Sequence, residues 1–197
     1  MERKVLAREH LNHWYSLKAY YLAKMLVDIP FQIIFPTVYL VIVYFMTSQP
    51  LSFERFSMLL CITICMSLVG QGVGLFFGTA FGIQSAVFLG PTCAIPFFLF
   101  SGYFMNLNSV PSYLNWITGI SLFRFGFEGS MLAIYNDRPP LECPQPYCYF
   151  RSPAKFLESF AMEQSSYLIC IIGMLAYFFV LRFAGYFLLR SKLKTIR

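Results

Sequence analysis

The stretch IPFQIIFPTVYLVIVYF, residues 29–45, decides the fold because no charged side chain interrupts it. Together with the apolar residues around it, this stretch predicts a membrane-spanning helix at 19–46, since about 20 apolar residues cross the hydrocarbon core of a bilayer. Pro30 and Pro36 are expected to kink the helix. A membrane bundle tolerates such kinks when neighbouring helices satisfy the freed carbonyl groups.

Three further apolar stretches, at 56–77, 86–105 and 166–189, have the length and composition of membrane spans. Glycines in the second span permit close packing of helices, and two prolines are expected to bend the third. Arg182 lies near the inner end of the last span, where a long side chain can reach the membrane surface. The predicted fold is therefore an all-α, polytopic membrane helix bundle with four transmembrane helices, and with re-entrant and external helices in 106–165.

Residues 113–135 are long and apolar enough to span, but they carry Arg124 and Glu128 near the middle. A charge at the centre of a span costs about 2.5–3.5 kcal/mol, although their i,i+4 spacing allows these two side chains to pair. A fifth span would separate the two basic ends of the chain, whereas four spans keep both in the cytoplasm, as the positive-inside rule favours. We therefore predict re-entrant or interfacial helices here. For Glu128 the alternatives are a structural pair with Arg124 and a role in transport.

The composition excludes an ordinary soluble domain. Hydrophobic residues make up 58% of the chain and charged residues 12%, against about 25% charged residues in an average soluble domain. The net charge of +6 does not indicate nucleic-acid binding, because the basic residues form no patch among aromatics. They are concentrated at the two ends, as in the cytoplasmic flanks of membrane spans: Arg3, Lys4, Arg8, Lys18, Arg190, Lys192, Lys194 and Arg197.

The chain shows no catalytic constellation, so we predict that it is not an enzyme. Its two histidines, His10 and His13, have no further metal ligand nearby in the sequence, and the pattern predicts no metal site. No phosphate-binding loop motif is present. Cys143 and Cys148 lie in the polar stretch CPQPYC without a histidine or carboxylate at zinc-site spacing, which favours a disulfide on an oxidising face over a zinc site.

Three stretches carry a resemblance to a known family: residues 8–50, IPFFLFSGYFMN at 95–106, and RFGFEG at 124–129. They resemble the second half of the membrane domain of White-type half-transporters, subfamily G of the ATP-binding-cassette exporters, and look closest to its sterol exporters. The resemblance covers essentially the whole chain and implies the ABC type-2 exporter membrane-domain fold. That fold would be incomplete, because the family's ATPase domain and first two membrane helices are missing. We expect either a fragment or a truncated isoform.

The resemblance also implies roles for particular residues. Residues 1–17 would contain the cytoplasmic coupling helix, which contacts the nucleotide-binding domain. The third span would line a substrate cavity and end in a bulky apolar pair that closes the exit, and the two external-loop cysteines would be paired. The implied positions are Glu2, Arg3, Arg8 and Glu9 in the coupling helix, Ile95 and Phe98 in the cavity, Tyr103 and Phe104 at the exit, and Cys143 with Cys148 in the disulfide.

The function implied by the resemblance is that of a permease: the membrane-spanning portion of an ATP-dependent exporter that moves lipids or sterols as a homo- or heterodimer. ATP and Mg²⁺ would be bound by the nucleotide-binding domain, and this chain would hold no cofactor itself. The plasma membrane is the expected location, with intracellular membranes as the alternative. The alternative function is a truncated, non-transporting subunit that dimerises with a complete half-transporter and regulates it.

Overall fold

The computed structural model describes residues 14–50, 52–105, 110–136, 138–140, 151–162 and 165–196, and within these ranges all regular structure is helical. Three helical segments, Leu17–Met46, Phe53–Ala80 and Tyr167–Lys194, are long and apolar enough to cross a membrane. The prediction of an all-α, polytopic membrane bundle is confirmed. The elements are α1 Leu17–Met46, α2 Phe53–Ala80, α3 Ile83–Leu99, a 3₁₀ turn Ser112–Leu114, α4 Asn115–Ile120, α5 Leu122–Tyr135, α6 Pro153–Ser159 and α7 Tyr167–Ile196.

Helix α1 begins at Leu17 because the hydroxyl of Ser16 accepts the backbone N–H of Ala19 at 3.3 Å. A serine in this position satisfies one of the unpaired donors of the first helical turn. The helix then continues through both Pro30 and Pro36. Most of its large apolar side chains are exposed, which is stable when lipid is the surrounding solvent.

Helix α2 lies at the centre of the bundle and packs against α1, α3, α5 and α7. It runs antiparallel to α1, so Leu40 of α1 packs with Leu59 of α2 in one buried cluster. It runs parallel to α7, since the Tyr167 hydroxyl donates to the Met58 carbonyl at 2.7 Å near the start of both helices.

The beginning of α1 and the end of α7 meet at one end of the bundle, which we call the inner end. Leu17 and Tyr21 pack there with Leu189 and Leu193 in a buried cluster. The first and last described helices therefore have their chain termini on the same side, which is the arrangement that an even number of crossings produces. The opposite end, where α2 and α7 begin, is called the outer end.

Helix α3 ends earlier than the predicted span at 86–105. Its last residue is Leu99, the N–H of Phe100 bonds back to the Pro96 carbonyl at 3.1 Å, and Gly102 adopts a φ of 96°. Positive φ costs glycine little, so the chain can turn sharply at this point. As a correction to the prediction, Tyr103 and Phe104 belong to this turn and not to the helix.

Helix α5 starts at about the middle of the bundle. Helix α2 ends and α3 begins at the inner end, so residues of these helices mark depth in the bundle. Phe97 follows the start of α3 by fourteen residues and therefore lies about 21 Å above the inner end, at 1.5 Å per residue. Met66 precedes the end of α2 by fourteen residues and lies at the same depth. The Ser121 hydroxyl donates to the Phe97 carbonyl at 2.6 Å, which fixes the start of α5 at this depth. Helix α4 departs from α5 by 75°. Residues 112–135 are therefore a broken element and not one straight span.

Candidate functional site

A chain of polar side chains joins α1, α2 and α7 inside the bundle. Gln71 Nε2 of α2 donates to Asp28 Oδ2 of α1 at 2.6 Å, and Arg182 Nη2 of α7 donates to Gln71 Oε1. The Tyr21 hydroxyl donates to the backbone carbonyl of Arg182 at 2.9 Å. The amide of Gln71 thus bridges a carboxylate and a guanidinium, and we call the three side chains Asp28, Gln71 and Arg182 the polar bridge.

Arg182 does not reach the membrane surface, so the prediction based on its long side chain is wrong. The residue is only 4% exposed, and its guanidinium lies 5.1 Å from the centre of the Phe178 ring. Gln71 precedes the end of α2 by nine residues, which places the polar bridge about 14 Å above the inner end. Charged side chains at such depth are expensive and are candidates for function.

The polar bridge was missed from the sequence, although a signal was present. Asp28 and Gln32 are four residues apart on α1, and Ser67 and Gln71 are four residues apart on α2. Ser67 donates its hydroxyl to Gln32, so the two pairs face each other across the antiparallel helices. Polar residues at i,i+4 share one helix face, and in an otherwise apolar span they indicate the face that packs on protein.

The second charged site is the pair Arg124–Glu128 on α5, which the sequence placed together. Arg124 Nε lies 3.6 Å from Glu128 Oε2, and Glu128 is 5% exposed. Ser165, just before α7, donates its hydroxyl to the other carboxylate oxygen. The carboxylate therefore links α5 to the segment that leads into the last helix.

Replacing Glu128 with Ala is expected to lower the free energy of unfolding by about 1–2 kcal/mol, because Ser165 and Arg124 lose their shared acceptor in a buried place. Glu128→Gln keeps an acceptor for Ser165 and should cost less. Thermal unfolding in detergent micelles, followed by circular dichroism, measures both. Glu158→Ala, at an exposed glutamate on α6, is the control and should change stability by less than about 0.5 kcal/mol. Equal losses for the Gln and Ala variants would contradict the assigned role.

The four residues assigned to the cavity and exit lie on α3 and in the turn after it. Phe98 and Phe104 have ring centres 5.4 Å apart, and those of Tyr103 and Phe104 are 4.9 Å apart. Ile95 precedes Phe98 by three residues on the same helix. All four are largely exposed, at 57% for Ile95, 47% for Phe98, 58% for Tyr103 and 55% for Phe104. Together they form an uncharged surface, which we call the aromatic face.

Helix α5 supports the aromatic face from behind. The Phe123 ring lies 5.5 Å from that of Phe98, and the Phe127 ring lies 5.6 Å from that of Tyr103. Such edge-to-face pairs contribute about 0.5–1.5 kcal/mol each beyond their burial. The turn after α3 is thereby tied to the helix that carries Arg124 and Glu128.

The opposite side of α3 borders an apolar cavity of about 780 Å³. This volume is within the range of small-molecule sites, about 300–1,000 Å³, and no charged side chain lines the cavity. Residues from α2, α3, α5 and α7 form its wall: Met66, Gly70, Val73, Gly74, Phe76, Phe77, Gly78, Ala86, Val87, Gly90, Pro91, Cys93, Ala94, Phe97, Leu122, Phe123 and Leu181.

Some predicted site residues lie outside the described part of the chain. These are the coupling-helix residues Glu2, Arg3, Arg8 and Glu9, and the cysteines Cys143 and Cys148. Their roles stay predictions. Within the described ranges, no group of three or more His, Cys, Asp or Glu side chains is placed to hold a metal ion.

Comparison with known proteins identifies relatives of this chain. It is 28% identical over 156 residues to the ABC transporter ATP-binding protein/permease wht-1 of Caenorhabditis elegans, covering 79% of this chain and 23% of that protein. It is 32% identical over 142 residues to Protein white of Drosophila melanogaster, covering 72% of this chain and 21% of that protein. It is 33% identical over 138 residues to ABC transporter G family member 22 of Arabidopsis thaliana, covering 69% of this chain and 18% of that protein.

The chain thus spans about a fifth of the length of these relatives. A family model described as "ABC-2 type transporter" matches residues 1–135. The resemblance to White-type and subfamily G transporters is confirmed. The chain therefore belongs to the ABC-2 type transporter family and is a transmembrane component of a transporter.

Proposed function

We propose that the chain forms part of the membrane pathway of an ATP-dependent exporter whose substrate is a lipid or sterol. The observation that carries the proposal is the aromatic face. Ile95, Phe98, Tyr103 and Phe104 are uncharged, contiguous and about half exposed. An apolar surface with few polar groups suits an apolar ligand, and a charged substrate would find no partner there.

The exposure of the aromatic face supports a dimer. Among the described residues, the rings that pack on these side chains from outside the face are Phe123 and Phe127 of α5. A second copy of the chain, or a related half-transporter, would enclose the other side and complete a cavity. ATP and Mg²⁺, held by a nucleotide-binding domain, would supply the energy for transport.

The residues of this chain then have the following roles. Residues 1–17 would contact the nucleotide-binding domain and move with it, and α1 follows directly. The polar bridge ties α1 to α2 and α7, so displacement of α1 would shift the whole group of long helices. Narrowing of the cavity between the two chains of the dimer would move an apolar molecule past Tyr103 and Phe104 toward the outer end.

Replacing Phe98 with Ala is expected to reduce the efficiency of transport by about 10- to 150-fold, because losing the burial of one aromatic side chain against the substrate costs about 1.5–3 kcal/mol. The measurement is ATP-dependent efflux of labelled sterol from vesicles that contain this chain and a complete subfamily G half-transporter. Phe183→Ala is the matched control, since Phe183 on α7 is also exposed, at 64%, and lies outside the aromatic face. Equal efflux for both variants and the unmodified chain would contradict the assigned substrate surface.

The second candidate function is regulation of a complete half-transporter by a non-transporting partner. The observation that favours it is the half-exposed aromatic face, which a complete half-transporter could cover in a dimer. Under this function, co-expression should lower the partner's sterol efflux and the two proteins should purify together. Under the first function, co-expression should raise efflux, and Phe98→Ala should remove the increase. Efflux that does not change at all, with no partner recovered, would exclude both.

A further inference from the structure

Exposed cations surround one seam at the inner end of the bundle. Lys18 on α1 and Arg190 and Lys194 on α7 are exposed. Each follows by one residue a leucine of the buried inner cluster, which contains Leu17, Leu189 and Leu193. Because these leucines pack together, the three cations are held beside the seam between α1 and α7, and we call them the inner cations.

No acidic residue balances the inner cations in the adjoining helical ends. Residues 14–27 and 187–196 contain no Asp or Glu, and none of the three cations forms an ion pair within the described ranges. In residues 1–13, three basic residues outnumber two acidic ones: Arg3, Lys4 and Arg8 against Glu2 and Glu9. The described part of the inner end therefore presents a positive surface, and an anion from outside the chain can supply its counter-charge.

Aromatic side chains place this positive surface at the level of lipid headgroups. Trp14 is 74% exposed, and the rings of Tyr15 and Tyr20 stack at 5.8 Å. Trp and Tyr with such exposure are typical of the membrane–water interface. A further basic residue, Lys192, donates its ammonium to the carbonyl of Ala80 at the end of α2, where a cation complements the helix dipole.

We propose that the inner cations bind the phosphate of anionic phospholipids, and that this lipid stabilises the contact between α1 and α7. Charge complementarity selects the ligand, because anionic lipids of the cytoplasmic leaflet attract juxtamembrane Lys and Arg. The lipid phosphate also lies at the depth that the aromatic residues define. The polar bridge joins the same helices, so the lipid would act on the route by which α1 is coupled to α7.

Tryptophan fluorescence gives a direct test, because the chain has two tryptophans and only Trp14 lies beside the inner cations. In a Trp116→Phe background, the chain is placed in phosphatidylcholine vesicles containing a small fraction of either brominated phosphatidylserine or brominated phosphatidylcholine. Brominated phosphatidylserine should quench the fluorescence of Trp14 several-fold more effectively than brominated phosphatidylcholine. Each cation removed should weaken this preference about fivefold, so Arg190→Gln/Lys194→Gln should abolish most of it.

The matched control is Arg151→Gln/Lys155→Gln, which removes the same charge from exposed positions just before and within α6 and should leave the preference unchanged. Raising the salt to about 1 M, where the screening length is about 3 Å, should weaken the preference for phosphatidylserine in the unmodified chain. This measurement does not depend on whether the variants fold. Inorganic phosphate should not compete at concentrations that leave the ionic strength unchanged, which separates a lipid site from a site for free phosphate. Equal quenching by the two brominated lipids, competition by inorganic phosphate, or an equal loss in both double variants would overturn the proposal.

Discussion

Replacing Asp28 with Asn is expected to destabilise the folded chain by about 1–3 kcal/mol, because the part-buried Asp28 carboxylate would no longer compensate the buried cation of Arg182 through Gln71. Asparagine keeps the shape of the side chain and an oxygen that can accept the 2.6 Å hydrogen bond from Gln71. The change therefore removes the negative charge and little else. Arg182 would remain charged at 4% exposure, with the amide of Gln71 as its polar contact and no carboxylate behind that amide.

Unlike Asp28→Asn, Arg182→Met should not destabilise the folded chain, and its free energy of unfolding should equal or exceed that of the unmodified chain. Two guanidinium nitrogens, Nε and Nη1, have no hydrogen-bond partner among the described residues, so the cation is incompletely compensated. Replacing buried charges by apolar side chains of similar volume is often neutral or stabilising. Combining Asp28→Asn with Arg182→Met should accordingly recover most of the loss caused by Asp28→Asn alone.

Unfolding in mixed micelles, followed by helical circular dichroism, measures this double-mutant cycle. Lys155→Met, at an exposed lysine of α6, should change stability by less than about 0.5 kcal/mol and serves as the control. If Arg182→Met cost as much as Asp28→Asn and the two losses simply added, the two charges would not be coupled through Gln71.

A cation that lowers stability needs another reason for its presence. If Arg182 couples α1 to α7 during transport, Arg182→Met should give a stable chain that transports poorly. Loss of function with unchanged stability is the pattern expected where a site is not optimised for stability. The same variant in the efflux assay distinguishes a coupling role from a structural one, because a structural residue would lose both properties together.

The long helices could be predicted from the sequence because lipid imposes a simple requirement. A helix that satisfies its own backbone groups and presents apolar side chains over about 20 residues is stable in a bilayer. The apolar runs around Ile29–Phe45 and in the last third of the chain meet this requirement. Their helices, Leu17–Met46 and Tyr167–Ile196, each extend beyond the predicted span at one end, since helix ends depend on local features such as the cap by Ser16.

The break after α3 and the polar bridge depend on tertiary contacts that hydropathy does not contain. The turn at Phe100–Met105 contains no charged residue, like the helix before it, and its path is set by the positive φ of Gly102 and by ring contacts with α5. Likewise, Arg182 resembles any arginine near a membrane surface. Its burial follows only when α2 brings Gln71 to the same depth.

Gly129→Leu is expected to be the most damaging glycine replacement in α5, with a loss of about 3 kcal/mol or more from overpacking. A Cβ at Gly129 would lie 2.7 Å from Ile62 Cδ1 and 3.3 Å from Cys170 Cβ. Ile62 is 0% exposed and Cys170 is 2% exposed, so neither neighbour has open space to move into. Even Gly129→Ala should cost about 1–3 kcal/mol.

Two other glycines provide the comparison that isolates this crowding. A Cβ at Gly126 would meet the side chain of Met66, but that contact is largely with the flexible end of the side chain, so Gly126→Ala should cost less than Gly129→Ala. A Cβ at Gly119 would meet nothing within 4 Å, and Gly119→Ala should be neutral or stabilising by up to about 1 kcal/mol through helix propensity. Thermal unfolding in micelles should rank the losses in this order. A reversed order would mean that the close approach of α5 to α2 does not hold the bundle together. Because the same helix supports Tyr103 through Phe127, Gly129→Leu should also loosen the aromatic face and lower sterol efflux more than its expression level explains.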